Sequence, residues 1–307
     1  MPTWIHTFFK NISQVVLLEN TWTGLIILIA LWIGNWKIGF AAMVGSLLSL
    51  LTARFFNYTE SEIQAGLAGF NPVLIAIDLT LFLVWSWQNV MIILICILLA
   101  MPIAQAIKNF LKPLHLPELT TPFVVLTWLV LLMSQQFKFI QTNVAVLPLT
   151  SHIHIDLNTP FHPVFAFFNN VSQIFLIEHV LSGLLIVIAC WIASRRAGLY
   201  LLIANLLGLL LEFFMGADIG SLNEGLFGFN LMLTVIAVGV TFRSKSHFHP
   251  ILVFLLAVIM TPMMYAATAT FFEPIGLPAL TFPFILVTWT LLLAGQTPPP
   301  NRIKTSS

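Results

Sequence analysis

Two threonines, Thr120 and Thr281, stand between prolines that a helix interior does not tolerate. They lie in Leu116-Pro117-Glu118-Leu119-Thr120-Thr121-Pro122-Phe123 and in Leu277-Pro278-Ala279-Leu280-Thr281-Phe282-Pro283-Phe284. Each proline lacks a backbone donor and drives its predecessor out of helical geometry, so no regular helix runs between the two. Backbone carbonyls there lose their helical partners, and the threonine hydroxyls add oxygens that donate or accept. An apolar chain tolerates such a stretch only where it is buried in protein or lines a wet path. A kink for helix packing accounts for one such segment; a duplicated, patterned pair points to the handling of a polar solute. Gln14 and Gln173 form a second pair. A glutamine amide offers donors and an acceptor and is costly to bury unpaired, although an interhelical hydrogen bond or a headgroup contact accounts for it equally well. A third pair is apolar. Phe70 with Leu74, and Phe229 with Leu233, are four residues apart and share a helix face. They follow Gly66-Leu67-Ala68-Gly69-Phe70-Asn71 and Gly225-Leu226-Phe227-Gly228-Phe229-Asn230, whose glycines permit close backbone approach.

Everything in that inventory occurs twice, because the chain is a tandem repeat. Phe8 to Val15 matches Phe167 to Ile174, and the spacing of 159 residues persists at Glu19 and Glu178, at Gly24 and Gly183, and through the Gly-Phe-Asn segments. It becomes 161 at the Pro-bracketed threonines and at Trp128 and Trp289. The first repeat covers 1–150 with a polar linker to about 166, the second covers 160–297, and 298–307 is expected to be a disordered tail.

The elements that position these residues are membrane helices. Of 307 residues 59% are hydrophobic and 7% charged, far too few charges to coat a water-facing surface. The mean hydropathy of +0.99 agrees. Long unbroken apolar runs exclude a transmembrane β-barrel, whose strands alternate. The net charge of +1 gives no reason for a nucleic-acid partner. Cys96 and Cys190 lie in apolar runs and read as small buried hydrophobes, and Met1–Lys10 lacks the pattern of a signal peptide. Five apolar spans are expected in each half, near 22–36, 38–56, 67–87, 90–107 and 122–137, then near 180–194, 197–215, 226–242, 250–267 and 282–295. Shorter apolar pieces at 8–18 and 167–177 add candidate re-entrant segments.

An odd number of crossings per half inverts the second half. On that count Lys10, Arg54, Lys108, Lys112, Arg195, Arg196, Arg243, Lys245, Arg302 and Lys304 share one side, against Lys37 and Lys138 on the other. The bias places both termini in the cytoplasm and the linker, with His152, His154 and His162, outside. The fold class expected is therefore an all-α polytopic membrane protein of two inverted homologous halves with a pore between them.

Taken together, these motifs resemble those of the urea transporter family over nearly the whole chain. The resemblance rests on both Leu-Pro-x-x-Thr-x-Pro-Phe signatures, both Gly-Phe-Asn motifs and both Gln-hydrophobic motifs. It implies passive, channel-like transport of urea across the cytoplasmic (inner) membrane, and a homotrimer with a separate pore in each subunit. At the matching positions it implies that Gln14 and Gln173 mark the outer ends of a filter. Val15, Leu17, Ile174 and Leu176 then form flat slot walls with Phe70, Leu74, Phe229 and Leu233, and Thr120 and Thr281 flank the central constriction beside a row of carbonyls. Leu17 and Leu176 are aliphatic where the family commonly carries aromatics, Pro72 follows Gly-Phe-Asn where glycine is frequent, and Gln173 stands where some relatives have a carboxylate. A softer slot of this kind extends the candidate solutes to acetamide and other small neutral amides.

Neither a cofactor, a metal nor a catalytic residue is required by this reading. Its rivals are an ion-coupled transporter, for which Asp78 with Glu19, Glu178 and Glu212 supply the ionisable groups, and a channel for ammonia or another small solute. The counterpart of Asp78 is Ala237, so a symmetric coupling site is absent. A membrane enzyme finds no support in the recognisable catalytic motifs.

Overall fold

A computed structural model describes residues 2–143 and 159–296. Within them the first half builds α1 (Thr3–Ser13), α2 (Thr21–Gly34), α3 (Trp36–Thr52), the short α4 (Glu60–Gln64), α5 (Phe70–Phe82), α6 (Trp87–Leu111) and α7 (Thr121–Met133). The second half repeats the order as α8 (Pro163–Ser172), α9 (Val180–Ala193), α10 (Arg195–Phe214), α11 (Ile219–Glu224), α12 (Gly228–Ile236, continued by a π-helical turn at Ala237–Thr241), α13 (Pro250–Phe272) and α14 (Phe282–Ala294). Extended pairing among the described residues is confined to one bridge between Leu83 and Thr142. The protein is an all-helical, multi-pass membrane protein. The linker histidines His152 and His154 and the tail from 297 lie outside the described residues, whereas His162 is the N-cap of α8.

Helix starts coincide with side chains that accept the first free backbone N–H groups. Asn20 accepts from Thr23 N at α2, Asn35 from Lys37 N at α3, Ser86 from Asn89 N at α6, and Ser194 from Ala197 N at α10. The four long pieces Trp36–Phe56, Trp87–Leu114, Arg195–Phe214 and Pro250–Ile275 cross a bilayer by length and composition. The others differ from the expected spans. α5, α7 and α14 have 13 residues each, because proline-bracketed or glycine turns occupy the residues a longer helix would use. α2 and α9 have 14 each, and their apolar course continues through a sharp bend into α1 and α8, at 75° and 71°.

The bend is made the same way twice. Leu17 and Leu176 adopt left-handed geometry at φ 60° and 57°, and the next helix starts after Ser13 Oγ accepts from Asn20 N at 3.2 Å, as Ser172 Oγ accepts from His179 N at 3.3 Å. The two arms then lie against each other backbone to backbone. A Cβ on Gly24 would stand 1.8 Å from the Phe9 carbonyl oxygen, and one on Gly183 2.0 Å from that of Phe168. Backbone cannot rotate away as a side chain can. Gly24→Ala therefore spreads α1 from α2 and destabilises the fold by about 3 kcal/mol or more, read as a lowered melting temperature in detergent; an unchanged melting temperature contradicts this packing.

The halves meet through reciprocal bonds. Thr23 Oγ1 donates to Ala189 O at 2.8 Å, while Ser182 Oγ donates to Ala30 O at 2.7 Å. Ser182 is the repeat counterpart of Thr23, and Ala189 that of Ala30. An exchange of the same contact in both directions is the mark of a two-fold relation between two surfaces.

Candidate functional site

Thr120 and Thr281 meet. Their hydroxyl oxygens are 2.7 Å apart, from residues 161 positions distant in the chain, with 1% and 4% of each residue exposed. Each stands at the N-cap of its helix, α7 or α14, where a threonine ordinarily turns back to cap the first turn. Neither does so here.

The capping is done from elsewhere. Asn71, at the start of α5, accepts from Phe123 N at 3.3 Å through Oδ1 and donates from Nδ2 to Leu119 O at 3.1 Å. Asn230, on α12, does the same for Phe284 N at 3.1 Å and Leu280 O at 3.0 Å. Pro122 and Pro283 have no N–H to satisfy, and the preceding amides bond Glu118 O at 3.2 Å and Ala279 O at 3.1 Å. With those amides bonded or absent, the threonine hydroxyls are released to face each other. A further reciprocal pair fixes the segments across the junction: Trp128 Nε1 donates to Pro278 O at 2.8 Å, and Trp289 Nε1 to Pro117 O at 2.9 Å.

The row of carbonyls expected without partners is thus largely partnered. The carbonyls of Pro117, Leu119, Pro278 and Leu280 each receive one side-chain N–H. A carbonyl has two lone pairs, so each retains acceptor capacity. Leu119 and Leu280 adopt φ 50°, a conformation that costs a leucine on the order of 1–3 kcal/mol. The asparagine and tryptophan bonds hold it in place.

Two cavities lead to these segments. One, of about 1190 Å³, is lined by Leu116, Pro117 and Glu118 together with Gln105, Lys108, Lys112 and Lys245. The other, of about 560 Å³, is lined by Leu277 to Leu280 with Gln173, Leu176, Phe229, Phe82 and Tyr265. The first is rich in charge and the second mostly apolar. Each long helix, α6 or α13, delivers its C-terminal turns to the cavity of its own half.

The remaining sequence candidates fall as follows. Gln173, Leu176 and Phe229 share the second cavity. Gln14 is buried and donates from Nε2 to Ala65 O at 2.8 Å, as Gln173 does to Glu224 O at 3.0 Å. Their amide oxygens are left for other donors. Val15, Leu17, Phe70, Leu74, Ile174, Phe229 and Leu233 belong to one contiguous apolar core that also contains Leu119 and Leu280, with Leu176 packed on its edge. Leu17 O accepts from Thr241 Oγ1 at 2.9 Å. Phe82, the counterpart of Thr241, lines the second cavity beside Leu176. Among the rival ionisable groups, Glu19 is ion-paired with Lys10 at 2.6 Å and Glu178 is exposed. Glu212 is buried on α10, and Asp78 is fully buried on α5 with Thr127 as its polar neighbour.

Asn71, Asn230, Trp128 and Trp289 carry more of this geometry than their sequence context suggests. The available signal was their duplication, together with a proline at the second position of both α7 and α14, which leaves the third amide of each helix in need of an outside acceptor.

Comparison with known proteins gives a family model, described as "Urea transporter", that matches residues 5–296. The chain is 28% identical to Urea transporter 1 of Ovis aries over 305 residues, covering 96% of this chain and 78% of the relative. It is 26% identical to Urea transporter 1 of Rattus norvegicus over 289 residues, covering 92% and 75%.

Proposed function

This chain belongs to the urea transporter family, and on that premise we propose that it passes urea, and other small neutral amides, down their concentration gradient through a path that narrows at Thr120 and Thr281. The observation that carries the reading is the meeting of those two hydroxyls at 2.7 Å, each relieved of its capping duty by an asparagine. Two polar groups free of local obligations, set in an apolar core between two cavities, are what a permeating amide needs at its narrowest point.

Urea is flat and neutral, with N–H donors around its edge and one strong acceptor. Removing its water costs several kcal/mol unless the lost hydrogen bonds are replaced. Threonine hydroxyls and the second lone pairs of the Pro117, Leu119, Pro278 and Leu280 carbonyls supply replacements along the edge. Phe70, Leu74, Phe229 and Leu233, with Val15, Leu17, Ile174 and Leu176, supply walls for its faces, which make few hydrogen bonds. Gln173 stands at the second cavity, Gln14 is its buried counterpart in the first half, and each keeps its amide oxygen available. The same walls offer nothing to a hydrated ion, whose water they cannot replace. Several similar, weak stations also let the solute leave as readily as it enters.

The two-fold exchange of contacts supports inverted halves, with boundaries at 1–150 and 160–297, and an axis through the threonine pair. The cavity that carries Lys108, Lys112 and Lys245 is then the cytoplasmic one, by the excess of basic residues on that side. On this reading both termini lie in the cytoplasm and the protein sits in the cytoplasmic membrane. The family likeness supports assembly as a homotrimer and a role in transport rather than catalysis.

Reconstituted in liposomes, the protein gives saturable urea flux that is the same with and without an imposed proton or sodium gradient. Flux that follows the ion gradient overturns the passive reading and returns Asp78 to consideration as a coupling group.

A further inference from the structure

The two cavities differ most at one position in the motif. Glu118 in the first half is Ala279 in the second. Glu118 lines the larger cavity two residues before Thr120, on the turn that Leu119 holds at φ 50°. We propose that Glu118 is a specificity-determining residue, whose carboxylate takes the paired N–H groups of urea at one mouth of the constriction and favours two-nitrogen solutes over mono-amides. The inference rests on the urea reading given above.

The chemistry is that of a fork. Urea has two parallel N–H bonds, one on each nitrogen, pointing away from its carbonyl. Their spacing matches the two oxygens of a carboxylate, as the parallel N–H bonds of a guanidinium do. Acetamide has one nitrogen and cannot present that pair. The carboxylate is also available. Among the described residues no lysine or arginine forms an ion pair with it. Lys108 is committed to Glu62, and Lys245 donates to His115 O at 3.4 Å. Burial holds the Glu118 carboxyl above its usual range, and its own backbone N–H and the charges of Lys108 and Lys245 offset part of that rise. The lysines thus support its ionised form without occupying it. Because the counterpart is alanine, recognition is confined to one face. In a passive channel such a site cannot drive accumulation; it sets the concentration at which flux from that face saturates.

The test uses the full-length protein in membrane vesicles of one orientation, with urea or acetamide added at the face of the larger cavity. Glu118→Gln raises the half-saturating urea concentration about fivefold or more relative to that of acetamide, since one neutral acceptor replaces a charged pair. Glu118→Asp, which keeps the carboxylate, restores part of the difference. Elution of each variant as a single species in detergent establishes that it is folded. An unchanged urea-to-acetamide ratio in folded Glu118→Gln overturns the inference while wild-type urea flux leaves the parent reading standing. A wild type that passes no urea overturns both.

Discussion

Valine at both Thr120 and Thr281 lowers urea flux by about tenfold to a hundredfold and leaves the protein as stable as the parent. Valine has the shape of threonine without the hydroxyl. In the fold each hydroxyl is the partner of the other at 2.7 Å, so removing both leaves no buried polar group without a partner, and exchange of a bonded pair for apolar groups of the same shape is close to neutral. The permeating solute fares differently. At the narrowest point it loses one or two hydrogen bonds that replaced its water, about 1–3 kcal/mol, and each 1.36 kcal/mol added to a barrier is tenfold in rate. The single variants are less clean, because each strands the remaining hydroxyl in an apolar setting. Stopped-flow light scattering on proteoliposomes, with a melting curve from the same preparation, checks both halves of the expectation. Parental flux from a folded double variant removes the threonines from the path.

Leucine at Asn71 has the opposite signature, with stability lost first. The side chain is 2% exposed and holds two backbone groups of another segment, Leu119 O and Phe123 N. Asn71→Leu leaves both without a partner in an apolar interior, at about 1–3 kcal/mol each, and it releases the strained turn at Leu119. Asn230→Leu does the same to Leu280 O and Phe284 N. Each variant is expected to melt well below the parent and to lose flux as the Thr120–Thr281 contact loosens. The repeat also requires the two effects to be of similar size. A variant of either asparagine that melts with the parent contradicts the capping role, and a large difference between the two contradicts their equivalence.

The contrast between these variants separates what was legible in the chain from what was not. Thr120 and Thr281 were legible because prolines on both sides forbid a helix, a covalent property of the residues themselves. Their duplication was legible because the two segments can be laid side by side. Asn71 was visible as part of Gly-Phe-Asn, but its role was not. Its partners lie 48 and 52 residues further along the chain, and sequence carries no record of which distant carbonyl a side chain reaches. The exchanged bonds of Trp128 and Trp289 were hidden for the same reason, since each crosses from one half to the other. Gln14 and Gln173 show the reverse. Their pairing was evident, while the use of one amide proton on a neighbouring carbonyl emerged only in the folded chain.

The membrane environment, the helical class, the duplication and the places where helices break are all written in the chain, because they follow from composition, run length, proline and glycine, which are local properties. The chain also carried the family likeness, through motifs matched over nearly its whole length. The tertiary structure decided which groups at those breaks are satisfied and which are left over. Hydrogen-bond satisfaction is a property of the whole set of neighbours, and those neighbours come from both halves at once. Two prolines mark where a helix cannot continue; only the packed chain, with Asn71 and Asn230 capping α7 and α14, leaves the hydroxyls of Thr120 and Thr281 facing one another.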